Sequence, residues 1–79
     1  MMIRCTEWSP EVSDDREYMG ERLYSQQAML RIVQRGGAFE VHDGPFSRRG
    51  WVESTDGVNR LMRPVGASAG ANRAHGLGD

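Results

Sequence analysis

The segment from Asp15 to Arg35 constrains the fold of this chain most, because it has the pattern of an amphipathic helix. At about 100° per residue, its apolar side chains fall on one side and its charged side chains on the opposite side. The apolar stripe consists of Tyr18, Met19, Leu23, Met29, Leu30, Ile32 and Val33. We therefore predict one long helix that covers a sheet with its apolar side.

Both ends of this segment carry residues that are typical of helix termini. At the start, side-chain oxygens can cap the helix, and a glutamate three residues after Asp14 resembles a capping box. At the end, arginines are followed by two glycines, the pattern of a cationic last turn and a left-handed cap. The residues concerned are Ser13, Asp14, Asp15 and Glu17 at the start, and Arg31, Arg35, Gly36 and Gly37 at the end.

Alternating polarity predicts strands on both sides of the helix. A strand over residues 3–8 places Ile3 and Cys5 on one face, and Ser9-Pro10 ends it because proline cannot donate to a sheet. A second strand over 38–42 points Phe39 and Val41 inward. Asp43-Gly44-Pro45 has the composition of a turn.

Asp56-Gly57 is a strong two-residue hairpin signal and predicts two further strands, over 51–55 and 58–63. The register that follows pairs Glu53 with Arg60, Val52 with Leu61, and Trp51 with Met62. It places Val52 and Leu61 on one face of the sheet and Trp51 on the other.

The predicted fold is α+β in the order β-α-β-β-β, with one long helix on a mostly antiparallel sheet of three or four strands. Residues 1–63 form a single small domain, and 64–79 are expected to be a flexible tail rich in Gly and Ala. A folding unit of about 60 residues has a small core, which makes a homodimer possible.

Charge and hydropathy restrict the partners. The chain of 79 residues has a net charge of −1, which gives no general attraction to nucleic acid or to an anionic membrane. We find no apolar run long enough for a secretion signal or a membrane span, so a cytoplasmic protein is expected.

Candidates for catalysis and metal binding are few. Cys5 and His42 form the one possible cysteine–histidine pair, but a thiol in a strand is more typical of a small buried apolar residue. One Cys and two distant His do not make a structural zinc site, and helix capping accounts for the acidic residues near Asp14. We therefore predict no enzyme, no metal and no cofactor.

The stretch from Phe46 to Trp51 is the candidate binding site, because it places Arg48 and Arg49 between two large aromatic residues. Tyr24 is added as a helix residue expected to stay exposed. Three interpretations remain open for the stretch: contact with a protein, contact with single-stranded nucleic acid, or core aromatics beside solvated arginines.

The sequence predicts a non-enzymatic protein-binding module. Its small size and lack of catalytic motifs are typical of inhibitors encoded by phages or mobile elements, such as anti-CRISPR proteins. Such an inhibitor would sterically block a nucleic-acid-binding or catalytic surface on a larger protein or ribonucleoprotein complex. The alternative is a small nucleic-acid-binding regulatory protein that uses the same loop. An antitoxin-like or accessory subunit of a larger assembly is a third possibility.

Overall fold

The computed structural model describes residues 1–65, which form a four-stranded antiparallel sheet with two helices on one side. The strands lie in the order β2-β1-β3-β4. The elements are β1 (Met2–Trp8), β2 (Tyr18–Ser25), α1 (Gln26–Gln34), β3 (Ala38–Asp43), β4 (Gly50–Val52) and α2 (Thr55–Leu61). The predicted small α+β fold is confirmed, but the order is β-β-α-β-β-α. The flexible tail predicted for 64–79 lies, from residue 66 onward, outside the described residues.

The predicted long helix is wrong, because its first half is strand β2. Residues 18–25 pair with β1 along its whole length, with Tyr24 opposite Ile3 and Leu23 opposite Arg4. Gly20, which the prediction placed inside the helix, has a φ of +109° that no right-handed helix contains. Strand pairing therefore overrides the apolar stripe, and Met19 and Leu23 are exposed rather than covered by a sheet.

The predicted helix start at Ser13 and Asp14 is instead the tip of the β1–β2 hairpin. Both residues have positive φ, 54° and 63°. The flanking residues Val12 and Asp15 exchange two backbone hydrogen bonds of 2.8 and 3.0 Å. Two central residues with positive φ are the mark of a type I′ turn, the favoured connection in a two-residue hairpin.

Helix α1 is capped by Ser25 at its start and is followed by the predicted glycines at its end. The Ser25 hydroxyl accepts a hydrogen bond of 3.1 Å from the backbone N–H of Ala28, which caps the helix. At the other end, Gly36 has a φ of +96° and donates to the carbonyl of Val33, while Gly37 donates to the carbonyl of Ile32. This pair of bonds is a Schellman motif, so the C-terminal signal is confirmed.

The predicted Asp56-Gly57 hairpin is also wrong, because these residues form the first turn of helix α2. The Ser54 hydroxyl accepts a hydrogen bond of 2.9 Å from the N–H of Gly57 and caps this helix. The strand over 58–63 and its cross-strand pairs therefore do not form. Val52 and Leu61 nevertheless share the core, while Trp51 faces away from it.

The core lies between the sheet and the two helices. Phe39, Ile3, Cys5 and Val41 point from the sheet into it, as predicted for strands β1 and β3. The helices contribute Met29 and Val33 from α1, and Val58 and Leu61 from α2. Within residues 1–65, no helix is both long and apolar enough to cross a membrane.

Candidate functional site

The face of the sheet opposite the helices, called the open face here, has no helix over it among the described residues. It presents large apolar side chains, each exposed by half or more: Tyr18 by 63%, Leu23 by 60% and Trp51 by 50%. Strand register places these side chains on the open face because their cross-strand partners also lie there. Tyr18 is opposite Trp8, Leu23 is opposite Arg4, and Trp51 is opposite Glu40. Exposed apolar groups gathered on one face mark an interaction surface more often than isolated ones do.

Trp51 is held in one orientation although half of it is exposed. Its indole Nε1 donates a hydrogen bond of 3.1 Å to the Glu53 carboxylate. The guanidinium carbon of Arg16 lies 5.6 Å from the ring centroid, within the range of a cation–π contact. The ring is thus fixed before any partner arrives.

Arg16 connects three parts of the chain. Its Nη1 donates to the carbonyl oxygens of Ser9, at 3.0 Å, and Gly36, at 2.9 Å. Its Nη2 donates to the Glu53 carboxylate at 3.3 Å. Only 16% of the side chain is exposed, so this arginine ties the β1–β2 connection to the end of α1 and to the strand that carries Trp51.

A shallow, open recess of about 380 Å³ is lined by Trp8 and Trp51. Three carboxylates and one guanidinium complete its lining: Glu11, Asp14, Asp15 and Arg16. Trp8 packs edge-on against Tyr18, with ring centroids 5.8 Å apart. We call this cavity the tryptophan recess.

The predicted binding residues are only partly brought together. Arg48, Arg49 and Trp51 line a depression of about 140 Å³, together with Arg60 and parts of α2. Arg48 also donates a hydrogen bond to the backbone carbonyl of Arg60. Phe46 is exposed by 46% with a φ of 58°, but it does not line this depression.

Tyr24 was expected to be exposed, and this expectation is wrong. It is 6% exposed and packs edge-on against Phe39, with centroids 4.8 Å apart. Its hydroxyl donates a hydrogen bond of 2.7 Å to Glu7. Burial and the bond to this carboxylate raise the pKa of Tyr24, while Arg22 acts in the opposite direction. The reason for the error is the strand at 18–25, which turns Tyr24 toward the core.

Cys5 and His42 do not form a catalytic pair. Cys5 is fully buried on the helix side of the sheet, and burial raises the pKa of its thiol to about 11. His42 lies on the open face, where its Nε2 is 2.6 Å from the Thr6 hydroxyl. The thiolate form is therefore disfavoured, and the histidine is on the wrong side to remove the proton. Among residues 1–65, no three His, Cys, Asp or Glu side chains gather as metal ligands.

Trp8, Arg16 and Glu53 were missed by sequence reasoning. The usable signal was Ser13-Asp14, since Asp and Ser are common turn residues and a hairpin here would have aligned Trp8 with Tyr18. Searches against protein-family models, curated proteins and solved structures find no match to this chain.

Proposed function

We propose that this chain is a non-enzymatic protein-binding module whose contact surface is the open face around Trp51. The observation that carries the proposal is the state of Trp51, which is half exposed and yet held by Arg16 and Glu53. An aromatic side chain that is ordered in advance loses little conformational entropy on binding.

The surroundings of Trp51 have the composition of a protein interface. Tryptophan, tyrosine and arginine are enriched among the residues that dominate binding energy. Tyr18 and Leu23 add exposed apolar groups on β2, at the other edge of the same face, and both are at least 60% exposed. Arg4 and Glu21, whose side chains lie 3.6 Å apart, supply a polar element of the kind found at interface rims.

Charge favours a protein partner over nucleic acid on this face. Glu40 is the strand partner of Trp51, and Glu53 accepts the hydrogen bond of its indole. Glu11, Asp14 and Asp15 line the adjoining recess. A phosphate backbone would meet these carboxylates at short range and would be repelled.

A second candidate function is that of a small nucleic-acid-binding regulatory protein. It is favoured by the small depression in which Arg48, Arg49 and Arg60 lie beside the indole of Trp51. Arginine beside an aromatic ring is the combination used to hold single-stranded nucleic acid.

The specific form that we propose is an inhibitor of a larger host protein or ribonucleoprotein complex, encoded by a phage or mobile element in the manner of an anti-CRISPR protein. Its support is the small size of the domain and an exposed face suited to steric blocking. A homodimer that covers part of the same face is an alternative assembly.

The test is site-specific photo-crosslinking in cells that produce the protein, with a photoreactive amino acid in place of Trp51. The matched control carries it in place of Asn59, which is exposed on α2, on the helix side of the sheet. We expect protein adducts from position 51 that are resistant to nuclease and absent from position 59. Nuclease-sensitive adducts would favour the second candidate, adducts with a second copy of this chain would indicate the homodimer, and equal labelling at both positions would contradict all three.

A further inference from the structure

The tryptophan recess differs in chemistry from the rest of the open face. Its carboxylates are Glu11, Asp14 and Asp15, and the one cation in its lining is Arg16. That cation pairs with Glu53, whose Oε1 lies 3.3 Å from Nη2, and with Glu11, whose Oε1 lies 3.8 Å from Nη2. Asp14 and Asp15 therefore leave the recess with an excess of negative charge beside its two indole rings.

The two acidic groups at the hairpin tip are available to a ligand. Asp14 and Asp15 are exposed, and among the described residues neither forms an ion pair. The single hydrogen bond that involves their side chains joins Asp15 Oδ1 to the backbone N–H of Arg16, at 2.9 Å. A carboxylate with free lone pairs beside a cavity wall is a strong acceptor for a charged donor.

The indole of Trp51 already accepts a cation. Arg16 lies over its ring at 5.6 Å, so the ring face is in use as a cation–π acceptor within the fold. Trp8 provides a second indole in the lining of the recess, and its ring packs against Tyr18. Aromatic walls with nearby carboxylates are the features that recognise organic cations.

We propose that the tryptophan recess binds the cationic side chain of an arginine or lysine in a basic segment of the protein partner. This inference rests on the proposed function and adds the chemistry of the partner at one point of the open face. The charged head meets Asp14 and Asp15, while the aliphatic part of the side chain lies along the indole walls.

Tryptophan fluorescence reports this recess directly, because the chain has two Trp residues and both line it. The probe is a blocked tetrapeptide, acetyl-Gly-Arg-Arg-Gly-amide, titrated into the full chain at low salt. Matched probes replace both arginines by glutamine or by glutamate. We expect a saturable fluorescence change with the arginine peptide, at least tenfold weaker binding of the glutamine peptide, and weaker binding as salt increases.

The variant that tests the assignment is the double substitution Asp14→Asn with Asp15→Asn. Asparagine adopts the left-handed conformation of position 14 readily, and it keeps the side-chain oxygen that bonds Arg16, so the hairpin is retained. We expect at least a fivefold loss of affinity for the arginine peptide. The control is Asp43→Asn, an exposed carboxylate at the end of β3 that does not line the recess, which should leave the affinity unchanged.

Equal affinity for the arginine and glutamine peptides, preference for the glutamate peptide, or unchanged binding by the double variant would each overturn the inference. The proposed function fails separately. Protein adducts at position 51 together with no peptide binding would mean that a partner docks without a cation in the recess.

Discussion

Replacing Arg16 by alanine removes five contacts at once, and the structure allows the loss to be estimated. The guanidinium donates to the carbonyls of Ser9 and Gly36, and it lies over Trp51. It also forms ion pairs with Glu11 and Glu53. A hydrogen bond to a charged group is worth about 1.5–3 kcal/mol when buried. Because 16% of this side chain still meets water, we assign about 1.5 kcal/mol to the two carbonyl bonds together.

The remaining contacts of Arg16 are weaker. The two carboxylates it pairs with, Glu11 and Glu53, are each exposed by half or more, so the ion pairs together contribute at most about 0.5 kcal/mol. The cation–π contact with Trp51 adds about 0.5–1 kcal/mol. The total is about 2–3 kcal/mol, which is a large part of the roughly 3–10 kcal/mol expected for a domain of this size. The corresponding fall in melting temperature is about 10–20 °C.

Urea unfolding followed by circular dichroism measures this loss. Arg49→Ala is the control, because Arg49 is exposed and makes no hydrogen bond or ion pair among the described residues; it should change the free energy of unfolding by less than about 0.5 kcal/mol. Arg16→Lys keeps the charge but not the planar group that reaches two carbonyls, so an intermediate loss is expected. Equal stability of the Arg16→Ala and Arg49→Ala proteins would refute the proposed role of Arg16.

Two further predictions test the fold and the core. Ser54→Ala should lower the free energy of unfolding by about 1 kcal/mol, because it removes the cap of α2. The control Thr55→Ala should be nearly neutral. Equal effects of the two substitutions in urea unfolding would argue against the helix. The pKa of Cys5 is raised by burial from 9.0 to about 11, so the folded state retains a proton that the unfolded state loses. The contribution of this proton to the free energy of unfolding is therefore complete below pH 9.0 and is lost as the pH rises toward 11. The free energy of unfolding of the Cys5→Ala protein should not show this loss.

The sequence predicted those parts of the fold that depend on local chemistry. The alternation in β1 and β3, the end of α1 at Gly36 and Gly37, and the opposite orientations of Trp51 and Val52 all agree with the structure. Each of these depends on side-chain polarity or on a residue that tolerates positive φ, which can be recognised within a few positions.

The predictions of secondary structure failed where one short sequence pattern is compatible with two different structures. Asp14 can cap a helix or occupy a type I′ turn, and long-range pairing of β2 with β1 decides for the turn. Asp56-Gly57 suits a hairpin, but Ser54 caps a helix there and lets Val58 and Leu61 reach the core. For the same reason the sequence predicted Trp51 as a site residue but not Arg16, because Arg16 contacts Trp51 only once the β1–β2 hairpin has formed.

The free energy of unfolding of the Trp51→Ala protein tests most directly whether Trp51 serves contact with a partner rather than the core. We expect a loss of about 1–2 kcal/mol, from the hydrogen bond to Glu53, the contact with Arg16 and partial burial. Phe39→Ala, which empties a fully buried position, should cost about 3–5 kcal/mol in the same urea titration. A loss for Trp51→Ala as large as that for Phe39→Ala would show that Trp51 is a core residue and would contradict the account.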